Sequence, residues 1–287
     1  HRHRRLFGHR RRTTRALAAA GAHVTVPART PDKARAALAG LANVELATLD
    51  LMDPGSIDAF AGNWLAQHGA LDILICNAAI MASPLERDSR GYESQFATNH
   101  LGHFQLLCRL WPALAAAHGA RVVMLSSLGH RITPMNFDDP NFERREYQKW
   151  LAYGQAKTAN SLCALGADER GSAHGIRAFA VHPGAIMTDL QRSLPVEEQV
   201  AMGWITADGV VNPLFKTIEQ GAATTVWAAT SPQLTGRGGL YCEDCDVARA
   251  VPREDKGPAG VRPWAVDQEA AAQLWTLSEQ LTGARLA

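Results

Sequence analysis

The chain has 287 residues and a mass of 31.0 kDa, with 46% hydrophobic and 20% charged residues. That length and composition suit one large α/β domain or two small ones and exclude disorder or coiled coil as a description of the whole. Lys plus Arg number 29 against 28 Asp plus Glu, a net +1. The first twelve residues, HRHRRLFGHRRR, hold six of the arginines and no carboxylate, leaving a body of about −5 with no general basic field for nucleic acid.

In chain order, AHVTVPA (22–28), NVELATL (43–49), LDILICNAA (71–79), ARVVMLSS (120–127) and IRAFAVHPG (176–184) are short, apolar, β-rich runs ending in turn residues. They read as buried parallel strands. Helix-period segments separate them: PDKARAALAGL, then 54–68, 90–117 and 147–170. This alternation predicts right-handed crossovers and a doubly wound parallel sheet of Rossmann type, with ligands at the carboxyl ends of the strands. Beyond residue 184 the pattern loosens through 190–216, the expected place of a substrate lid. A helix at about 218–230, a short strand near GGLYC and a final helix near 266–283 follow. No repeat or linker interrupts the chain, so a single domain is expected.

Five cysteines stand at 76, 108, 163, 242 and 245, three of them inside apolar runs, which reads as a reduced, cytoplasmic chain. Cys242 and Cys245 form a CxxC with no second pair, so a structural role is favoured over metal or redox chemistry. No apolar run approaches the ~18 residues of a membrane span, and the twin arginines lack the apolar stretch of a signal peptide.

Only one tyrosine, Tyr153, has a lysine four residues on, Lys157, in AYGQAKTAN. On a helix the two share a face. A neighbouring ammonium favours the phenolate, so the pair is expected to bring the phenol's pKa down into range for proton transfer to a carbonyl oxygen. Ser126 and Ser127 end one predicted strand, Asn77 ends another, and Asn99 lies inside a helix-period stretch where Asn is a poor helix former. Pro183, Gly184 and Thr188 follow a third strand. A Ser127 hydrolase using His130 or His182 ranks lower, because no nucleophile elbow surrounds the serine.

The order of these motifs resembles the short-chain dehydrogenase/reductase family, from about Thr13 to the LYCEDCD segment. The resemblance implies an NAD(P)-dependent oxidoreductase acting on a small, apolar alcohol or carbonyl substrate, with Tyr153 as acid/base. By the same resemblance Lys157 lowers the phenol's pKa and binds the nicotinamide ribose, Ser127 holds the substrate oxygen, and Asn99 positions a relay water. Asp50 and Leu51 would meet the adenine, Asn77 and Ala78 would form the turn beside the cofactor, and Pro183, Gly184 and Thr188 would cover the nicotinamide. The family's NNAG turn reads CNAA here, which puts the backbone's freedom at that turn in question. The long gap from Ser127 to Tyr153 resembles the insertion of retinol-dehydrogenase-like members. Arg29, after the first predicted strand, favours NADP over NAD, because it can pair with a 2′-phosphate. A homo-oligomer is implied by resemblance only, with no nucleic-acid partner.

The family opens with a strand and a glycine-rich loop, and residues 1–12 carry neither. GC-rich codons for those residues, shifted by one base, read IVTGGYSGIGVE, so a frameshift is the expected origin of an aberrant basic segment 1–12 ahead of a Rossmann-type domain at 13–287. Its expected consequences are a sheet lacking its first strand, lost phosphate contacts, and weakened cofactor affinity and stability. The competing reading is a catalytically weak nucleotide-binding or regulatory relative; a nucleic-acid-binding arm at 1–12 lacks the aromatic interleaving such arms use.

Overall fold

The computed structural model describes residues 8–286. In chain order it places α1 (Gly8–Ala19), β1 (Val24–Ala28), α2 (Pro31–Leu38), β2 (Val44–Thr48), α3 (Pro54–Leu65) and β3 (Ile73–Cys76). A one-turn helix α4 (Ser94–Phe96) passes through a π-helical turn (Ala97–Leu101) into α5 (Gly102–Ala116), followed by β4 (Arg121–Leu125) and α6 (Lys149–Gly171). β5 (Arg177–His182), α7 (Val196–Ala201), α8 (Ile218–Thr230), β6 (Leu240–Glu243), β7 (Asp246–Val247) and α9 (Gln268–Thr282) complete the chain. Among the described residues no helix is long and apolar enough to cross a membrane.

Strands β3, β4, β5 and β6 pair in parallel in that order, with β7 added antiparallel at the edge. One row of the register, Ile75–Val123–Phe179–Leu240, faces the α8 side, and the next, Cys76–Met124–Ala180–Tyr241, belongs to the larger core. Both faces are therefore covered, which is why these strands read as continuous apolar runs rather than as an alternation. The β6–β7 hairpin turns at Asp244 and Cys245, both with positive φ (51° and 58°). The CxxC is thereby explained as a hairpin: Cys242 is buried in the sheet and Cys245 is an exposed turn residue.

β1 and β2 form a separate two-stranded parallel sheet. Residues of β1 and of β3 line the same cleft, and among the described residues no strand joins their two sheets. That break stands where the sequence lacks the expected first strand. Gly8–Arg12 do not extend as a strand: they form the opening of α1, which packs on α8 through an Arg12–Glu219 ion pair (2.6 Å) and the buried Thr13, Thr14 and Leu17. Arginine is a good helix former, so the basic stretch continues the helix of the following alanines. The remainder of the basic segment, residues 1–7, lies outside the described residues.

Two helices begin later than their periodicity suggests. The Asp88 carboxylate accepts the backbone N–H groups of Arg90 and Tyr92, tying a turn there, and Glu93 caps the new helix by accepting from Gln95 and Phe96. Helix α6 starts at Lys149 because Gln148 is extended (φ −128°, ψ 111°). Its neighbour Tyr147 instead donates its hydroxyl to the Ser83 carbonyl.

Candidate active site

The carboxyl end of β4 is stitched to α6 before any catalytic side chain is placed. The Leu125 carbonyl accepts from both Lys157 Nζ and Asn160 Nδ2, each at 2.9 Å. Ser126 Oγ donates to the Lys157 carbonyl (2.9 Å) and accepts from Ser161 Oγ (2.9 Å). The two serines thus divide their work: Ser126 is buried in this seam, whereas Ser127 lines the cleft and accepts from the Gly129 N–H (3.1 Å). Gly129 is required by close approach, since a Cβ there would meet the Tyr153 ring at 2.7 Å. The serine turn and the tyrosine ring are in contact because the residue between them has no side chain.

Tyr153 and Lys157, 3% and 2% exposed, lie on the cleft-facing side of α6. The Tyr153 phenol lies near the Ser127 side chain, whose proximity favours the phenolate. Burial pushes the phenol up to about 12, with the Ser127 contact acting in the opposite direction. The sequence-based expectation was a phenol lowered by Lys157. Instead the lysine itself is displaced, its ammonium brought down to about 7 by burial, 5.7 Å from the centre of the phenol ring. A group removed from water disfavours its own charge, and in this arrangement desolvation outweighs the attraction across the pair. At neutral pH Tyr153 is therefore a neutral O–H donor, the form needed to protonate a carbonyl oxygen.

The cleft has a volume of about 1400 Å³, and its lining brings together Ser127, Tyr153, Lys157, Arg29, Asp50, Leu51, Asn77, Ala78, Pro183, Gly184 and Thr188. Asp50 turns its Oδ1 to the Met52 N–H (3.0 Å), while Arg29 is exposed at the end of β1. Ala78 and Ala79 do not take positive φ, so the missing glycine of the CNAA turn imposes no backbone strain. Gly184 is different: it has φ +94°, and a Cβ would meet the Lys216 side chain at 2.5 Å. Thr188 caps the following turn by accepting from the Leu190 N–H (3.2 Å).

Asn99 is not part of that lining. It is fully buried in the π-helical turn, where its side chain pairs with both backbone groups of Ile80, accepting from the N–H and donating to the carbonyl at 2.9 Å each. Its own carbonyl faces His103 Nδ1 (2.9 Å). Its side chain holds the chain leaving β3 with one amide proton and one lone pair of its oxygen. Nor do the histidines make a hydrolase. His130 Nδ1 lies 2.6 Å from the Ser127 backbone carbonyl rather than its hydroxyl, and burial holds His130 at about 4 and His182 at about 3.

Sequence reasoning missed three features. His9, from the basic segment, places its ring between Asn77 Oδ1 (2.9 Å) and the Gly221 carbonyl (3.0 Å). His103 lines the cleft, and burial lowers it to about 4. Trp150, Trp204 and Phe215 build an aromatic wall beside Tyr153. No spacing rule links these residues, which come from distant parts of the chain.

The two ends of the cleft differ in their fit to a nicotinamide dinucleotide. At the α6 end a buried ammonium has one hydrogen-bond acceptor, the Leu125 carbonyl, and suits further hydroxyl oxygens such as those of a ribose. At the α1 end His9 and Arg10 stand in the first turn, where a phosphate-binding glycine loop has close backbone approach. The α1 end does not match that pattern.

A model of the short chain dehydrogenase family matches residues 8–199. A probable oxidoreductase of Streptomyces lividans is 48% identical over 271 residues, covering 92% of this chain and 90% of the relative. A crystal structure of a protein from Mycobacterium paratuberculosis aligns with a TM-score of 0.75 at 34% identity, over 98% of this chain and 91% of the other. The fold is also that of a gluconate 5-dehydrogenase from Burkholderia cenocepacia solved with NADP and tartrate (TM-score 0.61, 19% identity, 81% and 87% covered). With the family model covering more than half of the chain and a relative of almost the same length nearly half identical, this protein belongs to the short-chain dehydrogenase family of oxidoreductases.

Proposed function

We propose that the protein transfers a hydride between a nicotinamide dinucleotide and the CH–OH or C=O group of a small apolar substrate. Tyr153 is the acid/base group and Ser127 the partner of the substrate oxygen. The observation that carries this reading is the convergence on one cleft of Ser127, the Tyr153 ring lying against Gly129 of the serine turn, and Lys157 one helical turn away. A substrate oxygen received between the two hydroxyls accepts a proton from Tyr153 as negative charge develops on it. Lys157 Nζ, anchored on the Leu125 carbonyl, offers its remaining protons to ribose hydroxyls; those acceptors stabilise the ammonium and return its pKa upward. Arg29, exposed at the end of β1 and on the same cleft, would pair with a 2′-phosphate, which supports NADP, with NAD the alternative. The dinucleotide, when bound, supplies or takes the hydride. Asp50 and Leu51 would flank its adenine end, and Asn77, Ala78, Pro183, Gly184 and Thr188 would line the nicotinamide end, all of them being residues of the one cleft.

A catalytically weak relative is the second reading, and the histidine at the α1 end favours it. The discriminating experiment is Tyr153→Phe, assayed by NADPH consumption with a carbonyl panel and by NADPH titration. General acid–base catalysis is worth roughly 100- to 10,000-fold, so turnover should fall by at least about 100-fold while NADPH affinity is kept. Unchanged turnover in the phenylalanine variant would refute the role of Tyr153, and NADPH binding to the parent chain without turnover of any carbonyl would favour the weak relative.

A further inference from the structure

The segment after β5 meets the start of the catalytic helix through one side chain. Glu198, on α7, accepts from Lys149 Nζ at 2.5 Å with one oxygen and from the indole Nε1 of Trp150 at 3.1 Å with the other. Among the described residues, the other hydrogen bonds of α7 stay within 194–204, including Gln199 Nε2 to the Leu194 carbonyl and the Trp204 N–H to the Gln199 carbonyl. Glu198 therefore provides both polar contacts between α7 and the rest of the protein. The two groups it grips are the first two residues of α6, one turn before Tyr153.

The grip has a consequence for the shape of the cleft. The Trp150 ring stands edge-on to Tyr153, with centroids 6.2 Å apart at 85°, and edge-on to Trp204 at 6.0 Å and 83°. Trp204 in turn meets Phe215 at 5.9 Å and 64°. All four rings line the same cleft, and Met81, Leu190 and Leu194 pack around Tyr153 and the indoles. The neighbouring polar side chain Gln191 is committed to the Ile186 carbonyl and the Thr188 N–H, and Arg192 is exposed on the Asp189 carbonyl. The wall thus offers ring edges and faces, with the charged groups of this segment, Asp189 and Arg192, at its border on the same cleft.

We propose that Glu198 is a positioning residue: by holding Trp150 and the α7 segment together it sets an aromatic wall that selects substrates with a flat ring-bearing body. The substrate class rests on the oxidoreductase reading above; the clasp itself does not. A ring-bearing ketone lying along the Trp150–Trp204 edge gains edge-to-face contacts that a short ketone or a short 2-oxo acid cannot reach.

The test compares the parent chain with Glu198→Ala and Glu198→Gln. The probes are 2-acetylnaphthalene, 2-butanone and pyruvate, with NADPH as reductant, and tryptophan-fluorescence quenching by 2-acetylnaphthalene reads binding without turnover. The alanine variant should raise KM for 2-acetylnaphthalene about tenfold, the cost of losing a charge-assisted bond, with kcat changed less than about threefold. KM for 2-butanone, NADPH affinity and Tm should hold. Glutamine keeps an oxygen acceptor for Trp150 Nε1 and should recover most of the loss. The clasp is refuted if Glu198→Ala leaves both the KM and the quenching constant of 2-acetylnaphthalene unchanged, or if it lowers Tm and weakens every probe alike. A parent chain preferring pyruvate or 2-butanone overturns the substrate class. If no ketone is reduced, the oxidoreductase reading fails, and the quenching titration still decides whether Glu198 shapes the wall.

Discussion

The buried ammonium of Lys157 is a cost that the fold carries for its site, and removing it tests that statement quantitatively. Lys157 is 2% exposed, its Nζ has the Leu125 carbonyl as acceptor, and burial brings its pKa from 10.5 to about 7. Between these values the unfolded chain binds the extra proton and the folded chain does not. Stability of the cofactor-free protein therefore rises with pH across this window, by roughly 1 kcal/mol per unit, and the full penalty is present below about pH 7. Lys157→Met keeps the stem's volume and removes the charge. The Leu125 carbonyl is not orphaned, because Asn160 Nδ2 still donates to it at 2.9 Å. Allowing about 1 kcal/mol for the lost bond, the methionine variant should be more stable by about 3 kcal/mol at pH 7.5. The advantage should shrink to near zero by about pH 9.5. Urea unfolding of both proteins at three pH values between these limits measures the gap. A variant less stable than the parent at pH 7.5, or a gap independent of pH, would refute the desolvation account. The same variant should lose NADPH binding, because the ribose partner is gone.

Three further outcomes follow from particular contacts. Gly129→Ala puts a methyl where the Tyr153 ring lies 2.7 Å away, so turnover should fall by more than about tenfold in a carbonyl-reduction assay, with overpacking costing about 1–3 kcal/mol in urea unfolding; unaltered kinetics would mean that the serine turn yields freely. Arg29→Ala should lower the NADPH-over-NADH affinity ratio by about tenfold, the worth of one charge-assisted pair, in parallel fluorescence titrations. An unchanged ratio would remove Arg29 from the cofactor site. Replacing residues 1–12 with IVTGGYSGIGVE should strengthen NADPH binding by at least about tenfold and raise Tm, since it restores glycines at the α1 end of the cleft; equal affinity of the two chains would show that the basic segment costs nothing.

Much of the architecture was legible in the sequence because its signals are local. Helix α8 occupies Ile218–Thr230 as its periodicity indicates, and five apolar runs form β1 to β5 within a few residues of their expected ends. The i, i+4 spacing of Tyr153 and Lys157 also sufficed to put both on one face of α6, and the ends of the strands brought Ser127, Asn77 and Pro183 to one cleft. Strand and helix periods, caps and turn residues act over a few positions, and the parallel α/β rule then assembles them with little freedom.

What the sequence could not decide is which of several similar groups the packing leaves free. Ser126 and Ser127 are equivalent as letters, but one is consumed by the α6 seam and the other faces the cleft. Asn99 looked available because it sits in a helix, and it is bound at both ends to Ile80, nineteen residues away. The sign of the Tyr153–Lys157 effect turned on burial by residues from across the chain, and the Glu198 clasp joins positions 48 and 49 residues apart. Local patterning therefore set the order of the elements, and the family resemblance carried the oxidoreductase class. Only the tertiary structure decided which side chains remain free, charged or neutral, because desolvation and hydrogen-bond competition are summed over neighbours that only folding brings together.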